Sequence, residues 1–140
     1  MKPIVTYDIY ICHKGTLTDS YIKLTELLNS ANDFCYRNHS EEWSMPSLKN
    51  ANKKFQAVYK KMQQNMNGSA CVLFLLDKSY KGTDKRRYEA DYAAASGKPL
   101  IIVNTDGSHI PEELSYKAVT GPDRREIICA IKKYALYTDN

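Results

Sequence analysis

The 140-residue sequence has no apolar run able to cross a bilayer. Its longest, Ala70 to Leu76, has seven residues, against the roughly 20 a spanning helix needs. Met1 to Asp8 holds no apolar stretch of the signal-peptide kind, so the expected location is the cytoplasm. The four cysteines, Cys12, Cys35, Cys71 and Cys129, include no C-x-x-C pair and no zinc-ribbon spacing. They are expected as reduced thiols, with Cys12, Cys71 and Cys129 in or beside apolar stretches as small hydrophobes. His13, His39 and His109 could in principle join a cysteine on a metal. Cys35-x-x-x-His39 has helical spacing, but that segment reads as strand and loop, so no metal is expected. There is no G-x-x-x-x-G-K-[ST], no G-x-G-x-x-G and no G-x-S-x-G, which excludes a P-loop, a dinucleotide fingerprint and a hydrolase elbow. No nucleic-acid-binding signature is present. No repeat, low-complexity tract or linker divides the chain.

What is present is the composition of one globular domain spanning residues 1–140. The apolar fraction is 43% and the charged fraction 26%, ordinary values for a domain of this size. Net charge is +4, unevenly placed. Lys49 to Lys61 carries five Lys and no acid, and Lys78 to Arg87 carries five cations and one Asp. Such segments are either solvated faces or a cationic rim for a phosphate-bearing ligand.

The apolar spacing alternates strands with helices. Residues 4–12 read as a strand apolar on both faces, hence in a parallel sheet. Thr18 or Asp19 can cap a helix to about Ala31, and a short strand follows at 33–37. A helix is expected from Ser47 to Met66, with Phe55, Val58, Tyr59, Met62 and Met66 on its core stripe. Ala70–Leu76 is the central strand, and a helix capped by Thr83 or Asp84 runs from Lys85 to Ser96. Strands at 100–103 and 116–119 precede a last helix, with Pro122 at its first position, to Tyr137. This order predicts a doubly wound, flavodoxin-like sheet of five parallel strands, order 2-1-3-4-5. The crevice of such a sheet lies beyond strands 1 and 3, among the loops 12–16, 37–46 and 77–85.

One carboxylate lies beside that crevice. Glu89 falls early in the helix after the central strand. A Glu there either complements the helix dipole or faces a sugar, stabilising or attacking an oxocarbenium-like centre.

Several segments resemble TIR-like domains of the bacterial Thoeris anti-phage type. Tyr7 to His13 resembles the first-strand box, and Phe34 to Ser40, with Tyr36-Arg37-Asn38, the second-strand segment. Ser69 to Tyr80 resembles the central strand ending in Ser, and Arg87-Tyr88-Glu89 with Ala93 to Val103 the helix and strand after it. Ile110 to Leu114 resembles the next loop. The resemblance implies a TIR fold, Glu89 as the catalytic residue, and cleavage of NAD as substrate at its nicotinamide–ribose bond. It implies a substrate pocket made by Cys12, His13, Lys14 and Gly15, by Arg37, Asn38, Ser40 and Trp43, and by Ser79 and Tyr88. Lys14, Arg37 and the amides of the Lys14–Thr16 turn are candidates for the pyrophosphate. Trp43 or Tyr10 could stack on a ring, though Trp43 reads more readily as a loop anchor packed on the core. The family often has Trp four residues before the catalytic Glu, where this chain has Lys85, and Ser or Tyr where it has Cys12-His13.

The resemblance further implies a glycohydrolase or cyclase whose product, linear, cyclised or conjugated ADP-ribose, reaches a separate effector by diffusion. It also implies self-association through TIR contacts. Two other functions stay open. Asp84 to Pro99 also resembles nucleoside deoxyribosyltransferases, which use a nucleophilic Glu. A non-catalytic interaction or nucleotide-sensing module is suggested by Lys85 in place of Trp.

Overall fold

A computed structural model describes residues 5–43, 51–82 and 84–136. The elements are β1 (Thr6–Cys12), α1 (Asp19–Asn29), β2 (Cys35–Asn38), α2 (Ala51–Asn67), β3 (Cys71–Leu76), α3 (Lys85–Ala95), β4 (Leu100–Asn104), β5 (Ala118–Thr120) and α4 (Arg124–Tyr134). All strand pairs are parallel and the order is β2-β1-β3-β4-β5, the flavodoxin-like arrangement expected from the alternation.

The alternation of strand side chains divides the core into two layers. Ile9, Ile11, Leu73, Leu75, Ile101 and Val103 pack with Leu24 and Leu28 of α1 and Ile127 and Ile131 of α4. Tyr10, Cys12, Val72, Phe74, Leu76 and Ile102 pack with Met62 and Met66 of α2 and Ala90 and Ala93 of α3. Every residue of β3 is buried, as a continuous apolar run in a sheet covered on both sides must be. The edge strands are short, four residues in β2 and three in β5, which limits unpaired backbone at the sheet margins.

The helix ends explain several shifts from expectation. Asp84 caps α3 by accepting from Arg86 N–H at 2.7 Å. Gly97, with φ of 75°, follows its C-cap. In α4, Asp123 is the cap, accepting from Glu126 N–H at 3.0 Å. Pro122 therefore precedes the cap instead of opening the helix, and the helix ends at Tyr134. Thr18 is the N-cap of α1, but its hydroxyl donates to Gly15 O at 2.7 Å and accepts no N–H from the helix. The second strand lies at 35–38 and the fifth at 118–120, each shifted towards the C-terminus. The expected beginnings at Ile4 and Ser47, the loop residues 44–46 and the alternative cap Thr83 lie outside the described residues, as does Tyr137 itself. Cys12 and Cys71 are buried, but Cys35 and Cys129 are exposed, so Cys129 does not serve as a core hydrophobe. Among the described residues no helix is long and apolar enough to cross a membrane.

Candidate active site

Glu89 lies one turn into α3, on the face turned towards β1. Its side chain is 1% exposed. Tyr10, projecting from the middle of β1 on the same side of the sheet, donates its hydroxyl to Glu89 Oε2. Trp43, in the loop after β2, donates Nε1 to the same oxygen at 3.3 Å. The other oxygen, Oε1, is buried with no hydrogen-bond partner. Burial pushes the Glu89 carboxyl up to about 7, although the Tyr10 hydrogen bond, the Lys85 charge and the Trp43 hydrogen bond favour its ionised form. One oxygen is thus held by two donors from two elements, and the other is buried without a hydrogen-bond partner among the described residues.

The two residues before this turn are not rim cations. Lys85 is 6% and Arg86 1% exposed. Lys85 Nζ stands 5.7 Å from the centre of the Trp43 ring, so an indole does adjoin position 85, supplied by a different element. Arg86 donates to Leu75 O at 3.0 Å and Ser79 Oγ at 3.2 Å, and pairs with Asp84 at 2.9 Å. Its guanidinium also packs on the Tyr80 ring. Arg86 therefore ties the β3–α3 loop to the end of β3 and sets where α3, and Glu89 on it, begins. Burial of Arg86 was not apparent from its basic neighbours; the nearby acids Asp77 and Asp84 were the available signal.

The residues expected to line a pocket divide into groups. Cys12 is buried on the Glu89 side, and burial followed by the Glu89 charge pushes its thiol up. His13 is 2% exposed, its ring 4.2 Å from that of Tyr21, and its Nδ1 has no hydrogen-bond partner. Burial, then the Lys85 charge, depresses His13 to about 4, so it is neutral near pH 7. Asn38 Nδ2 donates to the Tyr21 hydroxyl at 2.9 Å, and Asn38 Oδ1 accepts from Ser40 N–H at 3.0 Å. Tyr21 thus connects His13 to Asn38 and Ser40. Lys14 is exposed beside the turn, and Gly15 O accepts from Thr18.

Arg37, Tyr88 and Ser79 stand elsewhere. Arg37 pairs with Asp8 at 2.8 Å, as their register across β1 and β2 dictates. It lines a depression with Asn67, Ser69 and Lys98, at the edge where β3 and β4 begin. That edge is opposite the crevice, so Arg37 is not placed to hold a pyrophosphate beside Glu89. Tyr88 packs on Phe55 and Tyr59 of α2, with ring centres 5.0 and 6.2 Å away. Ser79 donates to Asp77, accepts from Arg86 and lines a cavity of about 510 Å³ on the α1–α4 side of the sheet. A smaller cavity of about 210 Å³, lined by Tyr10, Glu42, Trp43 and Met62, lies on the Glu89 side. Among the described residues no three His, Cys, Asp or Glu side chains gather as a metal ion would require.

A parallel sheet in this order, with a buried carboxyl one turn into the helix after the central strand, makes this a flavodoxin-like α/β domain with a candidate site beside that helix. A family model described as "Thoeris protein ThsB, TIR-like domain" matches residues 10–110, and the chain belongs to that family. No curated protein matches the chain. Among solved structures, a 2-deoxyribosyltransferase from Bacillus psychrosaccharolyticus is similar with a TM-score of 0.55 and 14% identity. The match covers 86% of this chain and 89% of that one. At that identity the likeness concerns the fold.

Proposed function

We propose that this TIR-like domain cleaves NAD at the bond between nicotinamide and ribose, with Glu89 as the catalytic residue. The observation that carries the reading is the Glu89 carboxyl, buried, bonded through Oε2 and free at Oε1. In NAD the nicotinamide nitrogen is a cationic pyridinium. When the C1′–N bond breaks, the electron pair leaves with nicotinamide, which departs neutral and needs no general acid. Positive charge develops on the ribose, where an ionised Glu89 Oε1 stabilises it or attacks C1′. Water or a second hydroxyl then closes on C1′ and releases its proton to Glu89 or solvent. A linear, cyclised or conjugated ADP-ribose results. We further propose that this product is a messenger in anti-phage defence, made in the cytoplasm and acting on a separate effector, and that self-association of the domain gates its formation.

The test is product identification by mass spectrometry after incubation with NAD, wild type against Glu89→Gln, with and without extract from infected cells. The expected result is nicotinamide release by the wild type, reduced at least about 100-fold in the variant. No release in any state overturns the proposal and favours a non-catalytic module, and equal release by Glu89→Gln overturns the role given to Glu89.

The structural neighbour favours a second reading, a deoxyribosyltransferase acting through Glu89. That reaction expels a neutral base and needs an acid to protonate it. Of the carboxylates nearest in sequence, Asp84 is committed to Arg86 and the α3 cap, and Asp91 is paired with Arg87. Base exchange between deoxynucleosides, without NAD loss, would select this reading.

A further inference from the structure

The turn suited to an anion is already occupied by one. Thr16 N–H donates to Glu42 Oε2 at 3.0 Å. Glu42 Oε1 lies so near the same turn that a Cβ added to Gly15 would stand 3.4 Å from it. Glu42 is the residue before Trp43, whose indole is bonded to Glu89. The Lys85 charge lies within electrostatic reach of this carboxylate. Glu42 and Trp43 therefore form a two-residue strap, one residue on the backbone turn and the next on the buried Glu89.

The strap is weakly fastened at the Glu42 end. Glu42 is exposed, and although the Thr16 side chain and amide both hydrogen-bond its carboxylate and hold it below its ordinary value, exposed contacts of this kind compete with water and contribute little. A phosphate brings more charge and three acceptor oxygens to the same amide, with Lys14 exposed beside it. No other acidic side chain bonds this turn among the described residues.

We propose that Glu42 is an internal stand-in for a phosphate group. Its carboxylate occupies a phosphate subsite on the Gly15–Thr16 turn, and the phosphate of an incoming nucleotide displaces it. The ligand class is a pyrophosphate-bearing nucleotide. Displacing Glu42 also draws Trp43 away from Glu89, which couples phosphate binding to exposure of the carboxyl. The inference rests on the NAD reading for the identity of the nucleotide, but the subsite can be tested without turnover.

The experiment titrates the folded chain with inorganic pyrophosphate, and separately with nicotinamide riboside, which has no phosphate. The Thr16 amide resonance and calorimetry are the readouts. Glu42→Ala is expected to bind pyrophosphate about three- to tenfold more tightly than wild type, the range set by loss of one solvent-exposed competing hydrogen bond. Glu42→Gln, which keeps an acceptor but loses the charge, should fall between. Affinity for nicotinamide riboside should rise by clearly less, since it gains only the exposed Glu89 carboxyl and no phosphate subsite. Unchanged pyrophosphate affinity in Glu42→Ala overturns the proposal, as does an equal gain for both ligands, which would mean general loosening of the loop. If pyrophosphate binds as expected but NAD is never cleaved, the subsite stands and the catalytic reading falls. If NAD is cleaved but the pyrophosphate response is absent, the reverse holds.

Discussion

At the scale of single residues the informative pair is Tyr10 and Glu89. Glu89 drew attention from sequence because a carboxylate early in the helix after a central strand adjoins the crevice of any such sheet. Tyr10 was readable only as a strand aromatic or a stacking ring, because alternation reports a face and not a hydroxyl's partner. The structure gives it a positioning role, donating to Glu89 Oε2. That hydrogen bond favours the ionised carboxyl, opposing the burial that holds Glu89 near 7. Tyr10→Phe removes it, so the carboxyl should titrate at a higher pH, by about one unit. Carboxyl carbon NMR of Glu89 measures this directly. If NAD is turned over, the rising limb of kcat/KM against pH should move with it. A lower rate with an unmoved titration would reduce Tyr10 to a packing residue.

At the scale of elements, sheet order and both core layers followed from the spacing of apolar residues. Register did not, and Arg37 is the example. Its position in the loop-rich second segment suggested the crevice, but pairing of β2 with β1 sets it opposite Asp8, near the far edge. The basic segment around Lys85 misled in the same way, since composition cannot tell a solvated cation from one buried among carbonyls and carboxylates. Arg86 uses several donors of its planar fork at once, on Leu75 O, Ser79 Oγ and Asp84. Lysine keeps the charge but offers one compact head and cannot reproduce that geometry. Arg86→Lys should therefore lower stability by about 1–3 kcal/mol. The measurement is the urea midpoint, read with amide exchange in the first turn of α3. A midpoint equal to wild type would show that the β3–α3 loop is held by the Asp84 cap alone.

At the scale of the molecule, two buried groups give opposite responses to pH. The folded chain holds the Glu89 carboxyl at about 7, above its ordinary 4.5. Between those values the native state keeps a proton that the unfolded chain has lost, so stability falls as pH rises from about 4.5 to about 7. His13 is held at about 4, below its ordinary 6.5. Between those values the unfolded chain takes a proton that the native state refuses, so stability falls as pH drops from about 6.5 to about 4. Each slope approaches about 1.4 kcal/mol per pH unit, so over about pH 4.5–6.5 the two oppose and largely cancel. Glu89→Gln removes one of them. The variant should be more stable than wild type above pH 7, by up to about 3 kcal/mol from the carboxyl's displacement, and the gap should close as pH falls towards 4.5. Between pH 6.5 and 4.5 the variant should lose stability on acidification while wild type stays nearly level. Asp8 does not disturb this window, because hydrogen bonding from Arg37 holds its carboxyl below the ordinary value and its contribution is lost only at lower pH. Urea unfolding of both proteins at half-unit intervals from pH 4.5 to 8 measures the difference directly. Parallel curves would mean that the Glu89 carboxyl titrates in the native chain as it does in the unfolded one, and that burial does not raise it.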